Sequence, residues 1–313
     1  MYEIKIAIEK AKNILIIAHI QPDGDTLGSC FALQRVIEKM GKEADVFSED
    51  EIPRRYAELL PKEIILRPAM VDKCYDLAIA IDCADKSRLG KAQKIFKRSL
   101  CTINIDHHIT NEKFAQINYV AEASSVGEII FELMGIIGIE QDEKTAQYLY
   151  IAMSTDTGNF TYSNTGRKCL SYVSELVELF DLRSTADALF RRRSRILTQL
   201  IARAISRLET FHDGKIAFVT LLSSDMQELG ADGSDCENIV DFAREIEETK
   251  VAVFFREIKS GVKISFRSKD DVDVCALAAM FGGGGHINAS GCCTKGKLDE
   301  VKKAVLTQLM ELV

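Results

Sequence analysis

The sequence predicts an α/β protein: an N-terminal domain built on a parallel sheet covered by helices, a linker helix, and a smaller C-terminal mixed α/β domain. Three observations predict it. Runs such as Asn13 to His19 and Asp76 to Asp82 are apolar at successive positions, and strands buried on both faces belong to a parallel sheet with helices on either side. These runs alternate with stretches of helical periodicity, starting with a β-loop-α unit. From Lys215 the texture changes to alternating strands, two of them joined through Lys259-Ser260-Gly261 as a hairpin.

In order, Asn13 to His19 is a strand, Pro22-Asp23-Gly24-Asp25 a turn, and Thr26 to Met40 a helix closed by Gly41. Ala44 to Phe47 is a strand, a short helix follows Pro53, Asp76 to Asp82 is a strand, Lys91 to Lys97 a helix and Cys101 to Asp106 the next strand. Ser124-Ser125 supply an N-cap for a helix over Val126 to Ile137, because a serine hydroxyl accepts from the free N–H groups of a first turn. Asp142 opens a helix to about Ser154; Thr155 to Phe160 is polar and turn-rich; a further helix runs from about Gly166 to Phe180. The first domain is therefore placed at 1–182. Between Arg183 and Arg207 seven arginines face the single acid Asp187 in a helical pattern without Gly or Pro, which reads as a linker helix, 183–210. In the second domain, 211–313, strands fit Ile216 to Leu222, Val251 to Ile258 and Val262 to Phe266. Helices fit Ser224 to Leu229, Glu237 to Glu247, Val272 to Met280 and Leu298 to Leu312.

Bulk properties bound the function. With 313 residues, 47% of them hydrophobic, the chain is long enough for two domains with a substantial core. Apolar runs such as Ile14 to Ala18 fall far short of the roughly 20 residues a bilayer span needs. The N-terminus carries Glu3 and Glu9, unlike a secretory signal, so a cytoplasmic protein with no membrane partner is expected. Nine scattered cysteines without a Cys-x-x-Cys pair read as small buried apolar residues in a reducing compartment, not as disulfides or a zinc site. A net charge of −7 argues against non-specific binding of long nucleic acid, which rests on many Lys and Arg contacts to phosphate. A small or short anionic substrate held by a local site remains open.

Four separate strand ends or loops of the first domain carry hard metal ligands: His19 with Asp23 and Asp25, then Asp82, then Asp106-His107-His108, then Asp156. Carboxylates with a minority of imidazoles and no thiolates suit Mn²⁺ or Mg²⁺ better than structural zinc. The acids suffice for two divalent ions sharing a bridging carboxylate, an arrangement that activates water and clamps a phosphoryl group. Singly, each motif is ordinary: Asp23-Gly24-Asp25 and Asp156 read as turns, Asp82 as a helix cap, the histidine pair as surface or core. Their coincidence is the signal, because three of the clusters follow apolar strands and should gather along one edge of one sheet.

In the second domain Gly282-Gly283-Gly284-Gly285-His286 stands out. Consecutive glycines bare backbone N–H groups to an anion and allow φ > 0, so a phosphate can sit there while His286 donates a hydrogen bond; alone, the run is a flexible loop. Arg267-Ser268 at a strand end adds a bidentate phosphate grip or, more plainly, a surface charge. The arginine-rich stretch is a solvated face paired with acids, or touches the trailing nucleotides of a short oligonucleotide.

Assembled, these residues are His19-Ile-Gln-Pro-Asp23-Gly-Asp25-Thr-Leu-Gly28-Ser29, Ile81-Asp82-Cys-Ala-Asp85, Asn104-Ile-Asp106-His107-His108 and Ser154-Thr-Asp156-Thr-Gly158. With them the chain resembles a DHH-family phosphoesterase over nearly its whole length. Arg267-Ser268 and Gly282 to Gly291 resemble the DHH-associated C-terminal domain. Size and short linker are similar to the nano-RNA hydrolase branch, bifunctional oligoribonucleases that also dephosphorylate adenosine 3′,5′-bisphosphate. RecJ-type exonucleases carry further domains, and family II pyrophosphatases lack the glycine-rich His motif. Gln21 stands where relatives often have Asn, Arg or Ser.

The resemblance implies that His19 and Asp23 hold one Mn²⁺, that Asp25, His107 and Asp156 hold the other, and that Asp82 bridges both. It makes Asp106 the support that orients the histidines, and His108 the group that faces the phosphate. Arg267, Ser268, Gly283, Gly284, Gly285 and His286 would bind substrate from a facing domain, the two domains closing over a cleft that holds the active site. A metal-bridging hydroxide would attack phosphorus without a covalent intermediate, with Mg²⁺ or Co²⁺ as possible substitutes for Mn²⁺. Short RNA or DNA oligonucleotides and adenosine 3′,5′-bisphosphate are the implied substrates, and a homodimer the implied assembly. The rivals are cleavage of linear or cyclic dinucleotide signals or of pyrophosphate, and a non-catalytic nucleotide-binding regulator. An intact ligand set disfavours the last.

Overall fold

A sheet whose five strands all run parallel organises the first part of the chain. The computed structural model describes residues 1–61, 73–236, 238–269 and 272–313, and the chain divides into two units, Met1–Arg192 and Arg193–Val313. In the first unit β1 (Asn13–Ala18), β2 (Glu43–Phe47), β3 (Leu77–Ile81), β4 (Cys101–Asp106) and β5 (Ile117–Val120) lie in the order β2-β1-β3-β4-β5. Each neighbouring pair is parallel. Because side chains alternate across a strand, Ile14, Ile16, Leu77, Ile79 and Ile81 enter one core. Leu15, Ile17, Ala78 and Ala80 enter a second core on the opposite face. The first core is closed by α1 (Tyr2–Lys10), α2 (Gly24–Lys39), α4 (Val126–Ile137) and α5 (Glu143–Asp156), with α6 (Arg167–Leu176) outside them. The second is closed by α3 (Gln93–Arg98) through Ile95 and Phe96.

The chain leaves β1 for β2 on one side and returns to β3 on the other. This reversal opens a crevice beyond the carboxyl ends of β1 and β3, the place where such sheets bind ligands. In this unit α1 and the half-buried β5 go beyond the sequence expectation. Another differs in extent: α5 continues to Asp156, which is its last residue and not part of a loop. The Thr155 and Thr157 hydroxyls donate to the carbonyls of Ile151 (2.8 Å) and Met153 (2.6 Å), so residues that read as a turn are satisfied on the helix itself.

The second unit is a six-stranded mixed sheet in the order β10-β11-β9-β8-β7-β6. Its strands are β6 (Glu209–Phe211), β7 (Ile216–Leu221), β8 (Val251–Ile258), β9 (Gly261–Ser268), β10 (Gly284–His286) and β11 (Ala289–Thr294). Among the described residues of this sheet only β7 and β8 pair in parallel. Here β6, β10 and β11 go beyond the sequence expectation. The arginine-rich stretch is not one helix. It divides into α7 (Leu182–Ala186), a π turn over Asp187–Arg191, extended backbone at Arg192 and Ser194, and α8 (Arg195–Ser206). The Ser194 hydroxyl accepts from Leu197 N at 2.9 Å and starts the new helix, a cap that the surrounding arginines mask in the sequence. Helix α8 then buries Leu200, Ile201 and Ala204 against β7 and β8 together with α10 (Ile239–Arg244). On the other face lie α11 (Val274–Met280) and α12 (Leu298–Leu312); α9 (Ser223–Leu229) follows β7. Glu237, where a helix was expected to begin, lies outside the described residues.

Half of the glycine run is sheet and not loop, since Gly284, Gly285 and His286 pair with Gly291, Ser290 and Ala289. Close backbone approach requires glycine here: a Cβ on Gly283 would stand 2.2 Å from the Gly291 carbonyl oxygen, and Gly285 has φ +147°. Five of the nine cysteines are buried, but Cys74 and Cys293 are exposed, so the expectation of burial holds only in part; all nine are free. Among the described residues no helix is long and apolar enough to cross a membrane.

Candidate metal centre

The carboxyl ends of β1, β3 and β4, the first turn of α2 and the last turn of α5 bring their polar side chains to one place. His19 follows β1 and is buried. Its Nδ1 lies 2.8 Å from the Ile20 carbonyl oxygen and 2.8 Å from Arg88 Nη2. Nε2 faces Asp82 Oδ2 at 3.4 Å and Asp23 Oδ1 at 3.9 Å.

Asp82 sits just past β3 with φ +60°, a left-handed conformation that aspartate tolerates better than most residues. Its N–H donates to the Ile105 carbonyl at 2.9 Å. Oδ2 accepts from Thr26 Oγ1 at 2.7 Å. Oδ1 is buried with no hydrogen-bond partner, 3.6 Å from His107 Nε2 and 3.5 Å from His108 Nδ1. A buried carboxylate oxygen left without a partner is costly, and a cation held between this oxygen and His107 Nε2 would satisfy it.

Asp25 is anchored at the start of another helix. Its Oδ2 accepts from Val126 N at 2.7 Å and its Oδ1 from Gly127 N at 3.0 Å and Ser29 Oγ at 3.2 Å. The carboxylate therefore takes the first amides of α4, where the helix dipole favours an anion. Ser125, expected to cap that helix, makes no side-chain cap bond because Asp25 occupies the amides. His107 has Nδ1 3.1 Å from the Ala123 carbonyl oxygen, while Nε2 faces Asp82, Asp156 Oδ2 (3.7 Å) and Asp25 Oδ2 (3.9 Å). Asp106, wholly buried, lies with Oδ1 2.7 Å from His108 Nδ1 and accepts from Asn111 Nδ2 at 2.5 Å. Of the two histidines it thus touches His108, and the Ala123 carbonyl orients His107.

The ligand atoms fall into three groups, each within 4.8 Å internally: His19, Asp23 and Asp82; Asp25, His107 and Asp156; Asp82, His107 and His108. Helix packing makes this convergence possible. A Cβ on Gly24 would stand 2.3 Å from Thr155 Oγ1, and one on Gly28 2.4 Å from the Tyr148 carbonyl oxygen. Glycine at both positions lets α2 lie against α5, which draws Asp25 toward Asp156.

Electrostatics point the same way. Burial pushes the Asp25 carboxyl well above the ordinary carboxylate range, and Asp82, Asp156 and Asp23 add to it. Burial likewise raises Asp156 to about 7, against the pull of His107. Burial also opposes the charge on Asp82, yet the His19 contact and the nearby His107 and His108 hold this acid well below the usual range. For His108 burial works against protonation, but the Asp106 hydrogen bond and the Asp82 charge raise it to about 9. So many buried acids in mutual repulsion call for divalent cations, and the oxygen-rich, thiolate-free donor set fits Mn²⁺ or Mg²⁺.

Sequence reasoning missed Thr26, Arg88, the α4 amides and the Ala123 carbonyl. Thr26 lies inside a motif; the others carry no local signal. In the second unit, Arg267 Nη1 donates to the Phe266 carbonyl at 3.0 Å, and its Nε lies 3.9 Å from Asp241. Ser268 is buried, donating to the Val272 carbonyl at 2.7 Å and accepting from Asn288 Nδ2 at 3.0 Å, so it braces the β10–β11 turn. The His286 side chain lies outside the described residues.

A parallel α/β unit with acids and imidazoles gathered at its switch point, followed by a mixed sheet, defines a metal-dependent phosphoesterase. Residues 13–153 match the DHH family, N-terminal domain, and residues 213–311 the DHHA1 domain. The chain is 32% identical to the bifunctional oligoribonuclease and PAP phosphatase of Thermus thermophilus, over 95% of this chain and 89% of that one. It is 26% identical to the protein of the same name from Bacillus subtilis, over 89% of this chain and 88% of that one. The crystal structure of an exopolyphosphatase-related protein from Bacteroides fragilis matches with a TM-score of 0.93 at 26% identity, covering 99% of this chain and 95% of that chain. The chain belongs to the DHH family of phosphoesterases and carries the DHHA1 domain.

Proposed function

We propose that this protein is a manganese-dependent phosphoesterase that hydrolyses short oligoribonucleotides to mononucleotides and dephosphorylates adenosine 3′,5′-bisphosphate. The observation that carries the reading is Asp82, whose two oxygens face two different groups of candidate ligands. The names of the Thermus thermophilus and Bacillus subtilis relatives, which match along both domains, support the choice of substrates. His19 and Asp23 would hold one ion, Asp25, His107 and Asp156 would hold the other, and Asp82 would contribute to both. When bound, the two ions supply a water of lowered pKa and the positive charge that offsets the phosphoryl oxygens.

The chain's own residues do the rest. Asp106 fixes His108 through Nδ1, leaving Nε2 as the group that donates to a phosphate oxygen. Domain 1–182 carries this chemistry, and domain 211–313 holds the nucleotide through Arg267, His286 and the backbone of Gly283 to Gly285. Release of mononucleotides from RNA of two to five nucleotides in Mn²⁺ tests the proposal. Asp82→Asn keeps a residue suited to left-handed backbone, and it should lower the rate by at least about 100-fold, as loss of a key charge-stabilising group does. A wild-type rate no higher than the variant's, across a panel of divalent metals, would overturn the enzymatic reading.

A further inference from the structure

We propose that Tyr162 is the platform on which the nucleobase beside the scissile phosphate stacks; the inference rests on the phosphoesterase reading above. After α5 ends at Asp156, three consecutive residues adopt positive φ: Gly158 (56°), Asn159 (56°) and Phe160 (64°). A bulky residue in this region is uncommon, and the surrounding contacts hold it there. Asn159 N donates to the Ser154 carbonyl at 2.7 Å, Phe160 N donates to Thr157 Oγ1 at 3.1 Å, and the Phe160 ring packs 6.0 Å from that of Tyr150.

This turn folds the chain back on itself, so that Tyr162 N donates to the Thr157 carbonyl at 3.0 Å. The Tyr162 ring then lies directly on Gly158, where a Cβ would stand 2.3 Å from it. Asn164 Nδ2 closes the loop by donating to the carbonyls of Asp156 (3.2 Å) and Ser124 (3.1 Å). An aromatic ring is thereby seated two residues from a candidate metal ligand, and it remains 42% exposed.

A second apolar side chain stands next to the same cluster. Ile109, immediately after His108, is fully exposed. Metal ions and phosphate gain nothing from apolar surface, whereas a nucleoside does. Aromatic stacking accepts every base because every base has a π face, which fits a substrate class recognised as short oligonucleotides and not as a sequence.

The test compares Tyr162→Ala, Tyr162→Phe and Tyr162→Trp on a diribonucleotide and on its abasic counterpart in Mn²⁺, with binding of AMP against ribose 5-phosphate measured by calorimetry. Tyr162→Ala should raise KM for the dinucleotide and weaken AMP by about 10- to 100-fold, the loss expected for one base–aromatic stack. It should leave the abasic substrate and ribose 5-phosphate unchanged, and Phe or Trp should restore the wild-type values. Equal losses on both substrates, or none on either, would overturn the platform. If the wild type turns over neither substrate, the phosphoesterase reading fails, and the AMP comparison still decides the role of Tyr162.

Discussion

Thr26 shows how finely a single residue conditions the centre. Its hydroxyl, fully buried, gives Asp82 Oδ2 its one short hydrogen bond and so leaves Oδ1 as the oxygen without a partner. Thr26→Val, the same shape without the hydroxyl, should cost about 1.5–3 kcal/mol, the range for a hydrogen bond to a charged group. Thr26→Ser should recover most of it. An unchanged denaturant midpoint for Thr26→Val would separate the two residues. At this scale the acids and histidines were legible in the sequence because hard ligands recur after apolar strands. Their supports were not: Thr26 and Asp82 are 56 residues apart, and Asp25 meets the amides of Val126 and Gly127 across 101 and 102 residues. No local pattern encodes such a pairing.

Helix ends decide the next level of organisation. Asp142 caps α5, accepting from Thr145 N at 2.9 Å, and also pairs with Arg35 Nη2 of α2 at 2.6 Å. Burial works against its charge, but Arg35, Thr145 and Lys39 hold the carboxyl well below the ordinary range. A depressed folded-state value means that the stabilisation is fully present above the unfolded pKa of about 3.9 and is lost as the pH falls through the folded value. Because the pair is about one-third exposed, the capping bond sets the scale more than the ion pair does. Asp142→Ala should cost about 1 kcal/mol at pH 7, and the gap from wild type should narrow below about pH 4. Urea titrations at both pH values check this, and a gap that widens in acid would refute it. Long periodic helices were legible, with Val126–Ile137 and Leu298–Leu312 falling on the expected bounds. The half-buried β5, the glycine-bearing β10 and the helical place of Asp156 were not, because pairing and back-bonding there override composition.

On the scale of the molecule, each unit owns its cores. One side of the division supplies Met1 to Phe190, the other Ile196 to Val313, and none of the core clusters among the described residues draws from both. The fragment 193–313 should therefore fold alone with one cooperative thermal transition, read by far-ultraviolet circular dichroism, and give dispersed amide resonances; collapsed amide dispersion and a non-cooperative melt would show that it depends on the rest. The sequence placed this division within an arginine-rich helix, and its position at Arg192 was hidden by a serine cap among arginines. The ownership of the ligands has a consequence for synthesis. His19 leaves the ribosome 137 residues before Asp156, about 7–27 s at ordinary elongation rates. The centre is incomplete until α5 emerges and docks on α2. Among the described residues every candidate ligand lies at or before Asp156, so the ligand cluster can assemble while residues 193–313 are still untranslated.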